Sequence, residues 1–321
     1  MTATAEKIPV TVLTGFLGSG KTTLVNHILT ARHGHRIAVI ENEFGDIPID
    51  NDLVLGGDEK IIEMSNGCCL CCTARTDLIE ILRSLLERPE PVDRILIETS
   101  GMADPNPVAQ TFFVDDEIAA RFELDAIVTL VDAKHVDAHL DEVDHNGVGR
   151  QVFDQIAFAD RIVVNKVDLV GAGEARAVTD RMRGINATAE MLTSSYARID
   201  LSRILGVGAF QNSSEPEFEH PHDPTLASVA VELDGELDRS AFDAWLAGFV
   251  HARGDDLYRL KGVIAVAGDD RRLVLQGIHH IVDVHPGTAW SSTPRRTKVV
   301  AIGRDLNQSA LQAGLRTCLA R

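Results

Sequence analysis

Short apolar, β-branched runs alternate with longer stretches of helical spacing along the first two-thirds of the chain. The runs are Pro9–Thr14, Arg36–Glu41, Lys60–Met64, Arg94–Glu98, Ala126–Asp132, Arg161–Asn165 and a weaker one at Glu190–Ser194. Between them, Lys21–Arg32, Thr76–Glu87, Gly149–Phe158 and Gly173–Arg183 have the spacing of helices packed on one side. Near-continuous apolar strands are covered on both faces, and their alternation with helices indicates parallel pairing through crossovers. The pattern predicts the α/β class, with a doubly wound, mostly parallel sheet.

The rhythm breaks over 211–225, where Gln211–Pro224 reads QNSSEPEFEHPHDP and is nearly free of apolar residues. Beyond it, Ser228–Leu233 alternates as a strand and Asp238–His251 has helical spacing. Tyr258–Ala267, Arg272–Val284 and Lys298–Ile302 read as strands, with a hairpin at Gly268-Asp269-Asp270 and a closing helix over Asn307–Ala320. We expect a nucleotide-type α/β domain over 1–210, a linker over 211–225 and a smaller α+β domain over 226–321. A length of 321 residues accommodates two such domains.

Charge narrows the partners. Lys and Arg number 31 against 48 Asp and Glu, a formal charge of −17. A nucleic-acid polymer or an anionic membrane needs a basic face, so neither is expected as a partner. The apolar run Val10–Leu17 is too short to span a bilayer, and nothing before it resembles a secretory leader. Four of the five cysteines fall within Cys68–Cys72. A disulfide framework would spread them, so the cluster points to a metal or redox site in a reducing compartment, and the expected localisation is cytoplasmic.

Gly15-Phe16-Leu17-Gly18-Ser19-Gly20-Lys21-Thr22 matches G-x-x-x-x-G-K-[ST], after a predicted strand and at the head of a predicted helix. Gly15, Gly18, Ser19 and Gly20 would turn backbone N–H groups inward around phosphate oxygens, with the N–H groups at Lys21, Thr22 and Thr23 at the helix start. Lys21 would neutralise β- and γ-phosphate charge and Thr22 would ligate Mg²⁺. Glu98, ending a strand, is placed to reach that Mg²⁺ or its water shell, and Ser100-Gly101 after it offers an N–H toward the γ-phosphate. Asn165-Lys166-Val167-Asp168 follows another strand. The Asp168 carboxylate can accept from both guanine donors, a pair that adenine lacks. Asn165 would tie the loop and the Lys166 stem would lie along the base. GTP is therefore favoured over ATP.

The thiols of Cys68, Cys69, Cys71 and Cys72 suit a soft or borderline ion such as Zn²⁺, Cu(I) or Co²⁺, with two or three of them facing one ion; a redox switch is the rival reading. Glu41, Glu43 and Asp46 stand where a switch loop follows the second strand, within reach of Mg²⁺ or of a second metal. His135 and His139, spaced i, i+4 in an acidic stretch, read as a solvated helix face rather than a metal site. His279 and His280, taken as strand residues, fall on opposite faces and cannot share one ion.

These motifs, in this order, resemble the CobW-type P-loop GTPases of metal homeostasis, most nearly the bacterial YjiA-like branch. Gly15–Thr22, Glu41–Asp46, Gly67–Cys72, Glu98–Pro105 and Asn165–Asp168 carry the resemblance, and Arg259–Gly262, Leu275-Gln276-Gly277 and Val299–Gly303 extend it into the last third. The resemblance implies a Mg²⁺-dependent GTPase that binds Zn²⁺, with Co²⁺ as the alternative ion, through a C-x-C-C motif. By position, Cys69, Cys71 and Cys72 match that motif, and Glu41 and Asp46 match acidic positions that join the metal site. Cys68 is an additional thiol, and Asp46 stands where relatives often carry Glu. A client protein receiving metal and a nucleotide-dependent homodimer are implied as partners. The alternatives are a metal buffer or sensor regulated by GTP, and an ATP-dependent kinase.

Overall fold

The computed structural model describes residues 7–41, 61–63, 73–89, 91–141, 148–210, 226–254, 256–290 and 295–320. The chain divides into two compact units, Met1–Thr179 with Glu190–Ala209, and Asp180–Ala189 with Phe210–Arg321.

The first unit is built on seven strands: β1 (Ile8–Thr14), β2 (Ile37–Glu41), β3 (Ile61–Glu63), β4 (Arg94–Glu98), β5 (Phe122–Asp132), β6 (Arg161–Asn165) and β7 (Glu190–Thr193). They pair in the order β3-β2-β4-β1-β5-β6-β7, and every pairing is parallel, so the sheet is wholly rather than mostly parallel. The strand order reverses at β1, which lies between β4 and β5, so the crevice beyond its C-terminal end is where such folds take ligands. β1 is apolar and β-branched because both its faces are covered: Val10, Val12 and Leu13 are essentially inaccessible to water. Helix α1 (Lys21–Thr30) buries Leu24, Val25, Ile28 and Leu29 in the same core as Leu13, Val39 and Val128.

Helices α2 (Thr73–Leu86), α3 (Asn106–Val114), α4 (Asp116–Arg121), α5 (Val136–Asp141), α6 (Val148–Phe158) and α7 (Ala172–Ile185) complete the crossovers. The periodicity did not predict α3 and α4. They are short, and an Asp115 cap separates them, its carboxylate accepting from the N–H groups of Glu117 and Ile118.

The second unit is an antiparallel sheet of β8 (Leu226–Asp234), β9 (Leu257–Ile264), β10 (Arg271–Ile278), β11 (Ile281–Ala289) and β12 (Arg296–Arg304), in the order β11-β10-β9-β12-β8. Helices α8 (Arg239–Arg253) and α9 (Gln308–Arg316) share one apolar core with Val229, Val231 and Leu233 of β8 through Phe242, Leu246, Leu311 and Leu315. Both helices start on side-chain caps, Asp238 accepting from the Ala241 N–H and Asn307 from the Ala310 N–H.

The expected single strand Arg272–Val284 is instead two strands, folded back at His279-His280 so that Ile278 opposes Ile281. No glycine, asparagine or aspartate marks that turn. His279 takes a left-handed φ of 50°, and its ring nitrogen lies 2.9 Å from the Gly254 carbonyl oxygen. The two histidines are therefore turn residues, not strand residues on opposite faces. No helix among the described residues is long and apolar enough to cross a membrane.

Ahead of β2, the Arg36 backbone N–H and guanidinium both donate to Asp93, each at 2.8 Å, joining the entries of β2 and β4. The hydrogen bonds from Arg36 hold the Asp93 carboxyl at about 2, below its ordinary 3.8. A depressed folded-state value means that the stabilisation is complete above the unfolded value and is lost as pH falls through the folded one. In urea melts, Asp93→Asn should therefore be less stable than wild type near neutrality, with a gap that narrows as pH falls from 3.8 toward 2. Because the pair is exposed, the gap should stay under about 1 kcal/mol. A gap that widens in acid would contradict the assignment.

Candidate functional site

The loop between β1 and α1 is shaped by its glycines. Gly15 and Gly20 have φ of 140° and 108°. A Cβ on Gly15 would lie 2.3 Å from the Leu130 carbonyl oxygen, and one on Gly20 would lie 2.4 Å from Asn165 Nδ2. Only glycine fits either place. Lys21, almost wholly buried, donates from Nζ to the Gly15 carbonyl at 2.8 Å, folding its ammonium over the loop. Ser19 Oγ is buried and has no hydrogen-bond partner among the described residues. A concave loop with an ammonium above it, an orphaned hydroxyl and the start of α1 behind it fits a phosphate group. Thr22 and Thr23 lie in the first turn of that helix.

Two carboxylates share the edge beside the loop. β4 runs between β1 and β2, and in its register Glu98 pairs with Leu13 on one side and with Glu41 on the other. In-register residues of neighbouring strands project to the same face, so Glu98 and Glu41 stand side by side at the C-terminal edge. Glu41 is buried at 6 % exposure. Glu63 ends β3 in register with Glu41. Next to this edge, Gly101 abuts the phosphate loop: a Cβ there would come within 2.7 Å of the Leu17 backbone nitrogen.

The loop after β6 is organised by Asn165. Its Nδ2 donates to the Ser19 carbonyl at 2.9 Å, while its Oδ1 accepts from Ser194 Oγ and from the Ala197 N–H, each at 2.9 Å. One side chain thus ties the phosphate loop, the tetrad and the segment after β7. Lys166 has a left-handed φ of 63°, and Asp168 beyond it is exposed to solvent.

Asp46, Cys68, Cys69, Cys71 and Cys72 lie outside the described residues, as does Glu43. Among the described residues no group of three or more His, Cys, Asp or Glu side chains is arranged to hold a metal ion.

A family model described as the CobW/HypB/UreG nucleotide-binding domain matches residues 9–193, and one described as the cobalamin synthesis protein CobW C-terminal domain matches 226–319. The chain belongs to the CobW family. This CobW-family protein is 36% identical over 317 residues to the zinc chaperone YjiA of Escherichia coli, covering 95% of this chain and 97% of that one. It is 30% identical to the zinc-regulated GTPase metalloprotein activator 1 of Schizosaccharomyces pombe, covering 95% and 84%. The crystal structure of Zn(II)-bound YjiA GTPase from E. coli superposes with a TM-score of 0.80 at 31% identity, covering 98% of this chain and 100% of that one.

Reading the CobW-family chain from its motifs missed three contributors. Gln155 of α6, buried at 1 % exposure, donates from Nε2 to the carbonyls of Gly101 and Ala103 and so holds the loop after β4. A buried amide beside Val152 and Ile156 on the apolar face of α6 was the available signal. Ser194 and Ala197 carried no signal, because their role depends on where β7 ends.

Gly20→Ala should force the phosphate loop away from Asn165. We expect a folded protein whose affinity for guanine nucleotides drops by at least about tenfold, roughly one lost hydrogen-bonded contact. Fluorescence titration with a labelled GDP measures it, and unchanged affinity would contradict the close packing.

Proposed function

We propose that this protein is a GTP-hydrolysing metallochaperone, which couples binding and transfer of Zn²⁺ to a GTPase cycle and passes the ion to a client protein. The names of its relatives, zinc chaperone and zinc-regulated GTPase metalloprotein activator, support this reading. The observation that carries it is the register of β4. Glu98 sits between the strand that delivers the phosphate loop and the strand that ends in Glu41. A change at the γ-phosphate is thereby one strand spacing from the first acidic residue of the metal set.

In this reading, residues 1–210 bind nucleotide, 226–321 form the second domain and 211–225 join them. The N–H groups of Gly15, Gly18, Ser19 and Gly20 and the start of α1 at Lys21, Thr22 and Thr23 hold the phosphates. Lys21 exchanges the Gly15 carbonyl for a phosphate oxygen, so a preformed ammonium is redirected rather than recruited. The Thr22 hydroxyl and the Glu98 carboxylate are hard oxygen donors fit to hold Mg²⁺, which when bound neutralises phosphate charge. The Gly101 N–H, against the Leu17 backbone, contacts the γ-phosphate. Asp168 accepts from guanine, with Asn165 and Lys166 shaping the loop below it.

Zn²⁺ is the cargo, bound by Cys69, Cys71 and Cys72 with Glu41 and Asp46; a mixed thiolate and carboxylate set also takes Co²⁺ and releases either ion more readily than a closed Cys₄ site. The cysteines follow β3, whose last residue pairs in register with Glu41. GTP binding shifts the affinity of this set for the ion, and hydrolysis reverses the preference. The client and a nucleotide-dependent homodimer belong to the same cycle.

Two experiments test this. Asp168→Asn should reduce guanine nucleotide affinity by about 100-fold and favour xanthine nucleotides, because an amide can donate where the carboxylate could only accept. Unaltered base choice would remove the tetrad from the site. Zn²⁺ titrations with a non-hydrolysable GTP analogue and with GDP should differ by about 5-fold or more, with an equal shift of nucleotide affinity by Zn²⁺. Cys71→Ala should abolish both shifts. Identical Zn²⁺ affinities in the two nucleotide states would leave a metal buffer that merely binds GTP.

A further inference from the structure

Asp132, the last residue of β5, has no place in the contacts assigned above, yet it is the most heavily engaged carboxylate near the base-reading loop. Its Oδ2 accepts from Lys166 Nζ at 2.8 Å and lies 3.0 Å from His135 Nδ1, while its Oδ1 accepts from the Lys134 N–H at 2.9 Å. The Asp132 and Lys166 side chains are only 11% and 30% exposed, so water screens the pair little. Asp132 and Asn165 are partners in the β5–β6 register, which places Asp132 one residue from Lys166 across the sheet. Burial pushes the Asp132 carboxyl up, but the bonds from Lys166, His135 and the Lys134 N–H outweigh it and leave the group below its ordinary value.

The lysine is constrained at its backbone as well as at its ammonium. Lys166 is held at a φ of 63°, a region that non-glycine residues enter only when their surroundings over-determine it. The sheet edge at one end and the carboxylate at the other fix the whole four-carbon stem. An ammonium committed to Asp132 is not offered to a phosphate, which leaves the stem as the part that a ligand meets.

We propose that Asp132 is a positioning residue for guanine recognition: by anchoring Lys166 Nζ it stretches the lysine stem into a fixed apolar floor for the base, so that Lys166 acts through its methylenes and not its charge. This rests on the reading of Asn165–Asp168 as the guanine-binding tetrad. Asp132 then sets the affinity for the base without touching the nucleotide, and His135, on the same oxygen, keeps the carboxylate aimed.

A double-mutant cycle tests the claim, using the full chain, a fluorescent GDP for affinity and steady-state GTP hydrolysis. Asp132→Ala should raise the GDP Kd and the KM for GTP by about tenfold while kcat at saturation stays within about twofold, since the floor serves binding and not the phosphate chemistry. Asp132→Asn, which keeps an acceptor oxygen, should recover part of the loss. In a Lys166→Met background, which retains an apolar stem, adding Asp132→Ala should cost less than about twofold more, because the anchor has nothing left to hold. Equal tenfold losses in both backgrounds, or no loss from Asp132→Ala in the wild-type chain, would overturn the proposal. If Asp132→Ala fails to fold, Asp132→Leu, which also removes the acceptor but fills the space, is run through the same cycle and gives the same decision. An Asp168→Asn variant that switches base choice beside an additive cycle would sink the Asp132 role alone. One that leaves base choice unchanged would sink the tetrad reading, and this inference with it.

Discussion

The side-chain amide of Asn165 joins three loops that chain order keeps far apart. Its nitrogen takes the Ser19 carbonyl, and its oxygen takes the Ser194 hydroxyl and the Ala197 N–H. With 1 % exposure, the group sits where an unmade hydrogen bond costs the full desolvation of the amide, so each loop is held where it satisfies Asn165. Gly20 shows how tight the constraint is, for a single methyl there would meet Asn165 Nδ2. The phosphate loop, the loop after β6 and the segment after β7 are tied together by this residue.

The other side of the site depends on strand register. A parallel sheet brings the C-terminal ends of its strands to one edge, and β4 places Glu98 between Leu13 and Glu41. Gly101, three residues on, closes against Leu17, and Gln155 holds that turn from α6. The nucleotide side and the acidic side thus meet through backbone packing rather than long side chains.

Asp125 shows the same economy beneath the site. Buried at 4 % exposure in β5, it accepts from the Thr11 hydroxyl and from the N–H groups of Gly206 and Gly208. It thereby fixes β1, β5 and the segment at 206–208 together. In the second unit, the β10–β11 turn is likewise set by a distant partner, the Gly254 carbonyl facing the His279 ring.

Much of this was legible in the residues. Apolar runs such as Val10–Leu13 and Ile95–Ile97 announce strands covered on both faces because hydrophobic burial leaves no other place for them. The spacing of Gly15 through Thr22 announces the phosphate loop because that local geometry depends on the glycines themselves. The caps Asp238 and Asn307 are equally local. What the chain order could not reveal is everything decided by which strand lies beside which. The pairing of Glu98 with Glu41, the triple duty of Asn165, the Gln155 hold on Gly101 and the anchoring of Lys166 by Asp132 each join residues of separate elements. Periodicity reports one element at a time, whereas these contacts exist only once tertiary packing has set the order and register of the strands.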